Sequence, residues 1–288
     1  MFEPVPDPEL PQPPFSIEVE FIGGLTFTQR AVFAEAAARW EAIITEPLST
    51  VSVGGRTFDG VVISASGTRI DGEGRILGRA GPTMLRPDSL LPATGVMEFD
   101  TADLAALEAD GSLDEVIVHE MGHVLGIGTL WQPAGLLDGP GGADPRFRGV
   151  LATEEYDDLL APAPDPETDT GTDTPLIPNG PSDPTAGVPV ANTGGPGSRD
   201  GHWRELVFGT ELMTPFLGAG PQPLSRLTIA SLADLGYVVS FDTADPYRLP
   251  SATELALRGV GDPGARRCHL SHEERFPPPI VLPTSALV

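Results

Sequence analysis

His119-Glu120-Met121-Gly122-His123 constrains this chain more than any other stretch. Two imidazoles four residues apart share a face only if the segment is helical. Both can then reach a single Zn²⁺, with the Glu120 carboxylate beside them as a base for water on the metal. The flanking residues predict that helix independently. Ser112, with Glu115 three residues on, has the form of a capping box; Val116, Ile117, Met121, Val124 and Leu125 supply an apolar face, and Gly126 the stop. A buried helix that merely carries two histidines leaves unexplained the acid beside the first of them and the glycines that follow.

Such a helix needs a core to lie on. A chain of 288 residues with 40% hydrophobic content can build one, as one large domain or two small ones. Charge narrows the partners: 17 basic residues, all arginine, stand against 41 acidic ones, a net of −24, so nucleic acid and anionic membrane surfaces suit it poorly. The acidity reads as a solvated surface in preference to dedicated calcium sites. No apolar run approaches the length of a membrane span. Cys268, the single cysteine, permits no internal disulfide and reads as an unpaired thiol. Residues 1–10 contain neither a basic start nor an apolar h-region, so no signal peptide is visible.

Along the chain, residues 1–14 alternate prolines with acidic residues and predict a disordered leader. Phe15, Ile17, Val19 and Phe21 alternate with polar residues as in a half-buried strand that Gly23 and Gly24 end. Thr28 opens a helical run through Phe33, Ala36, Trp40, Ile43 and Ile44 that stops before Pro47. Three short apolar runs, 61–65, 75–80 and 95–99, predict further strands of a twisted sheet, with 70–81 as turn chemistry around one of them and not a phosphate loop. The run at 95–99, just before the site helix, is expected to form the cleft edge on which an extended peptide can pair.

From Gln132 the composition turns to Pro, Gly and Asp, and 132–201 reads as a long insertion in which only 150–160 suggests a short helix. Asp138 and Asp144 have a spacing suggestive of a Ca²⁺ loop, but Pro140 and the missing terminal glutamate depart from that pattern, and an ordinary acidic loop is preferred. Ile229, Leu232 and Leu235 mark a helix capped by Gly236, with a brief strand at 237–239. Beyond Pro250 lies a tail, 251–288, with a short helix at 253–258. Its His269 and His272 read as solvent-exposed and not as ligands.

In the compact pattern H-E-x-x-H-x-x-G-x-x-H a third ligand would fall at position 129, which is Thr129. The two islands 112–131 and 202–215, the second holding His202 and Glu-Leu-Met-Thr-Pro around Met213, resemble the leishmanolysin-type metalloproteases of the metzincin clan. In that family an insertion separates the glycine from the third histidine, and a methionine-containing turn underlies the metal. The resemblance implies that His119, His123 and His202 bind zinc, that Glu120 is the catalytic base, and that Met213 supports the site without ligating it. It also implies an extracellular or cell-surface setting. The cysteines of the eukaryotic relatives, a tyrosine near the Met-turn and an inhibitory cysteine ahead of the site are missing.

These readings give an α+β chain: a metzincin-like zincin with a twisted mixed sheet and the active-site helix in an N-terminal subdomain (15–126), an irregular C-terminal subdomain (127–250), and a cleft between them. The expected activity is that of a zinc-dependent endopeptidase acting on protein or peptide substrates through a zinc-activated water, with Glu120 as general base. Two other readings are a catalytically silent zinc-stabilised binding module and a zinc hydrolase acting on something other than peptides.

Overall fold

The period-two alternation that begins at Phe15 becomes strand β1 (Ile17–Gly23), whose inward residues reach the core while its glutamates face out. The computed structural model describes residues 14–161, 187–195, 197–218, 220–257, 268–270 and 276–288. Apart from Pro14, the expected leader lies outside the described residues, as does His272.

Helix α1 (Phe27–Ile43) follows β1, and its start differs from the expected one. Thr26 is the cap: its side chain accepts from the Gln29 amide while the Gln29 side chain accepts from the Thr26 amide, a reciprocal box. A hairpin of β2 (Val51–Val53) and β3 (Arg56–Phe58) then leads into three longer strands: β4 (Val61–Thr68), β5 (Ile76–Leu85) and β6 (Pro92–Asp100). The first and third extend the predicted runs, and β5 runs five residues past its predicted end at Ala80. Helix α2 (Leu104–Asp110) precedes α3 (Leu113–Leu125), which carries the H-E-x-x-H residues and ends on Gly126 at φ +113°, as expected.

The second half has less regular structure. It contains β7 (Leu137–Asp138), β8 (Arg146–Phe147), α4 (Val150–Leu160), β9 (Val188–Pro189), α5 (Glu205–Phe208), β10 (Phe216–Leu217), α6 (Arg226–Leu235), α7 (Ala252–Leu257), β11 (Cys268–Leu270) and β12 (Ile280–Val281). Strands β7, β8 and β9 pair into a small antiparallel sheet inside the expected insertion, where two-residue strands are too short to leave a periodic signal. The helices at 150–160 and before Gly236 lie where the sequence places them. The expected strand at 237–239 is only an isolated bridge between Val239 and Ile44.

The main sheet has the order β1-β4-β6-β5-β11-β10, with β12 also on β5. Neighbours β1, β4 and β6 are parallel, β5 is antiparallel to β6, and β11 and β12 run parallel to β5. A mixed sheet with helices gathered on it makes the fold α+β. Helix α3 lies against α1, β5 and β6. Trp40 of α1 donates its indole N–H to the Val118 carbonyl at 3.0 Å, which fixes the two helices axially. One continuous hydrophobic core runs from Phe15 to Tyr237 through both halves of the chain, with α3 at its centre.

Two expectations fail here. The strand at 95–99 is not an edge: it lies within β6, hydrogen-bonded to β4 on one side and β5 on the other, because the antiparallel β5 is laid outside it. Nor does Ser112 cap α3 through its side chain. Its hydroxyl donates instead to Asp110 at 2.6 Å, and Glu115 is drawn away to accept the Gln222 amide at 3.1 Å.

Candidate metal centre

The i, i+4 spacing on α3 puts the rings of His119 and His123 side by side, and both are fully buried. His202 arrives from a segment 79 residues beyond His123 (202 − 123), and its ring lies 5.1 Å from that of His119 and 4.6 Å from that of His123. The three Nε2 atoms converge, at 3.1 Å (His119 to His202), 2.9 Å (His123 to His119) and 3.0 Å (His123 to His202). Among the described residues this is the one grouping of three or more His, Cys, Asp or Glu close enough to hold a metal ion.

The opposite ring nitrogens decide what the Nε2 atoms can be. Nδ1 of His119 lies 2.6 Å from the Leu212 carbonyl, that of His123 2.8 Å from Ile127 O, and that of His202 3.0 Å from Ser198 O. A carbonyl only accepts, so each Nδ1 carries the proton and each neutral ring turns an Nε2 lone pair toward the other two. Three lone pairs about 3 Å apart repel unless a cation sits among them. A tetrahedral ion with metal–nitrogen bonds of ~2.0–2.1 Å places its nitrogens about 3.3 Å apart, so a few tenths of an ångström of opening admits one. The residues present therefore fit a metal.

Glu120 is fully buried on the same helix, and neither of its carboxylate oxygens has a hydrogen-bond partner among the described residues. Burial pushes its carboxyl well above the usual carboxylate range. Its neighbour across the sheet is Gly78 of β5, where an added Cβ would lie 3.1 Å from Glu120 Cγ. Nothing in the 75–80 run marks Gly78 in advance, because the contact exists only once β5 is laid along α3.

Met213 is fully buried beneath the helix, and a Cβ at Gly122 would come within 3.1 Å of its sulfur and 3.2 Å of Trp40. The glycine between the two histidines is thus where the methionine turn approaches most closely. Glu211, two residues earlier, organises that turn. Its fully buried carboxylate accepts from the Met213 amide (2.7 Å), from the Ser225 amide (3.2 Å) and hydroxyl (2.6 Å), and from the Thr228 hydroxyl. Burial raises the Glu211 pKa, and these donors counter it only in part. Thr228 in turn accepts the Trp203 indole N–H at 2.8 Å, and Trp203 N donates to Met213 O at 2.9 Å. The turn is thereby tied to the residue next to His202.

What closes the long insertion onto α3 is a backbone contact. A Cβ at Gly128, whose φ is +74°, would lie 2.0 Å from the Gly201 carbonyl oxygen, and His202 comes next. Trp131 and Trp203 pack with ring centroids 4.5 Å apart and Phe147 beside them. Thr129, at the position where the compact pattern has its third histidine, donates to the His123 carbonyl at 2.7 Å. Asp200, the rival oxygen donor, is outside the cluster, and its Oδ2 accepts the Gly141 amide at 2.8 Å. The calcium-like pair is engaged by guanidinium groups: Asp138 pairs with Arg148 at 2.6 Å, and Asp144 with Arg146 and Arg204 at 2.9 and 2.7 Å. His269 sits on β11.

No protein-family model matches the sequence, and neither does any curated protein. Among the described residues no helix is long and apolar enough to cross a membrane.

Proposed function

We propose that this protein is a zinc-dependent endopeptidase of the metzincin type, similar to the leishmanolysins, with zinc held by His119, His123 and His202 and with Glu120 as the general base. The observation that carries the reading is the convergence of three Nε2 lone pairs beside a buried carboxylate that has no hydrogen-bond partner among the described residues. When bound, zinc supplies Lewis acidity and brings the pKa of water down toward ~7. Glu120 takes up a proton on a carboxylate oxygen and returns it to the departing amine. Its burial suits that task, because a carboxylate held without donors binds a proton more readily than one in water. The lack of a side chain at Gly78 keeps β5 from crowding the Glu120 side chain, and Met213 supports the helix from below.

A silent zinc module fits less well. Structural zinc usually has four protein ligands, whereas the cluster offers three, with a base at hand. A peptide is favoured over other hydrolysable substrates because the edge of β5 beside Glu120 already takes extended main chain, that of β11, and so has the pairing geometry for an extended peptide in its place.

The test is incubation with a mixed peptide library, with and without chelator, beside a Glu120→Gln variant. The expected result is chelator-sensitive internal cleavage that falls by about 10²-fold or more in the variant, the scale of general-base catalysis, with zinc still bound. Wild-type cleavage rates in Glu120→Gln would refute the role of this residue.

A further inference from the structure

The outer edge of β5 is taken near both of its ends by the C-terminal part of the chain. Strand β11 pairs with β5 at Ile76 and Gly78, and β12 pairs with it at Met84 and Leu85, where the Leu282 amide also donates to Leu85 O at 2.9 Å. Between these two grips, residues 276–279 line a surface pocket together with Ala80, Gly81 and Pro82 of β5 and with Gly128 and Thr129, which follow α3. Phe276 lies over the Arg79 guanidinium, 5.4 Å from ring centroid to Cζ.

Strand β11 does more than cover an edge. On its other side it pairs with β10, which begins three residues past Met213, and it lies against α3. It therefore bridges the two walls between which the metal helix sits. His119, Glu120, His123 and His202 are themselves fully buried, and β11 lies on β5 at Gly78, the residue packed against Glu120. An extended peptide can pair with β5 beside Glu120 only where β11 leaves that edge, because Leu270 holds the position opposite Gly78.

The form of the tail fits a removable covering. Pro277, Pro278 and Pro279 carry no N–H and cannot donate to β5, so they add no main-chain donor to the grips of β11 and β12. The exposed Ile280 and Val281 of β12 add little burial, and the last grip is Val288 donating to Thr50 O at 3.1 Å.

We propose that the C-terminal segment, through β11 between β5 and β10, is a built-in occupant of the substrate edge of β5 and holds the activity of the folded chain down until it is displaced. The inference deepens the peptidase reading and rests on it for its biological meaning, but the covering itself can be tested through metal exchange alone.

The experiment uses full-length protein loaded with Zn²⁺ and compares it with the full-length variant Cys268→Pro, His269→Pro, Leu270→Pro, which removes every main-chain donor of β11. Circular dichroism and Tm establish that the variant is folded; Leu270→Pro alone replaces it if it is not. The readouts are the rate of zinc transfer to an excess of chelator and the rate of peptide-library cleavage. Zinc transfer and cleavage should both rise by about tenfold or more, the scale set by losing two or three ladder hydrogen bonds. Faster zinc transfer with no cleavage by either protein would uphold the covering and reject the peptidase reading. Unchanged zinc transfer and cleavage in a folded variant would overturn the covering and leave the peptidase standing. Failure of both proteins to take up metal would overturn both.

Discussion

Gly122 is the residue on which the tightest packing beneath the metal centre depends. It was legible only as an unspecified position of H-E-x-x-H; nothing in the motif says that a sulfur and an indole close in on it from below. Gly122→Ala would place a methyl 3.1 Å from Met213 Sδ and 3.2 Å from Trp40 Cζ2, so one of them must shift. The expected cost is the ~1–3 kcal/mol of core overpacking, read as a lowered denaturation midpoint, with weakened zinc retention because the two histidines flank the site. A variant with unchanged stability and metal affinity would show that the turn does not support the site. Glu211 is the second such residue. Glu211→Ala strands the Met213 and Ser225 amides and two hydroxyls, and should destabilise the protein by at least ~1–3 kcal/mol for unsatisfied buried donors. Calorimetric unfolding of the variant checks this, and a loss well below that range would mean that water replaces the carboxylate.

Elements with strong periodicity were legible; their caps and pairings were not. The apolar face of α3 and its glycine stop follow from residues within one segment, which is why the helix lies where the sequence puts it. Its capping box did not survive because Asp110 and Gln222, one of them distant in sequence, compete for the same side chains. The edge strand was assigned to 95–99 because sequence proximity to α3 stood in for spatial order. The antiparallel return of β5 reverses that order. Asp103 accepts the Gly74 amide (2.7 Å) in the loop joining β4 to β5, and Asp100 accepts the amides of Ile70 (3.1 Å), Asp71 and Gly72 (both 2.8 Å) there and of Ala102 (2.9 Å) beyond β6. Burial alone would raise the Asp100 pKa, but these four donors outweigh it and hold the group below its ordinary value. A depressed folded pKa contributes stability that is complete above the unfolded carboxyl value of ~3.9 and is lost as pH falls through the lower folded value. Asp100→Asn should therefore lower Tm at neutral pH and flatten the acid limb of its pH dependence. An unchanged acid limb would contradict the assignment.

At the scale of the whole molecule, the central problem is how His202, reached across 79 residues, joins His119 and His123 on one helix. Loop-closure entropy rises only logarithmically with length, so the gap is tolerable provided that something fixes the return point. Gly128 against Gly201 and Trp131 against Trp203 do so within a few residues of each motif. Both halves of that clasp are visible in the sequence as glycines and tryptophans beside the histidines, but their pairing is a tertiary fact. His202 itself became legible only through resemblance, since Thr129 occupies the position nearer at hand. The most direct test of the account is X-ray absorption on zinc-loaded protein, wild type beside His202→Ala. The account predicts one zinc per chain with three imidazole nitrogens at ~2.0–2.1 Å in the wild type, and loss of one of them in the variant together with weakened zinc retention. A metal shell that is the same in both proteins would contradict it.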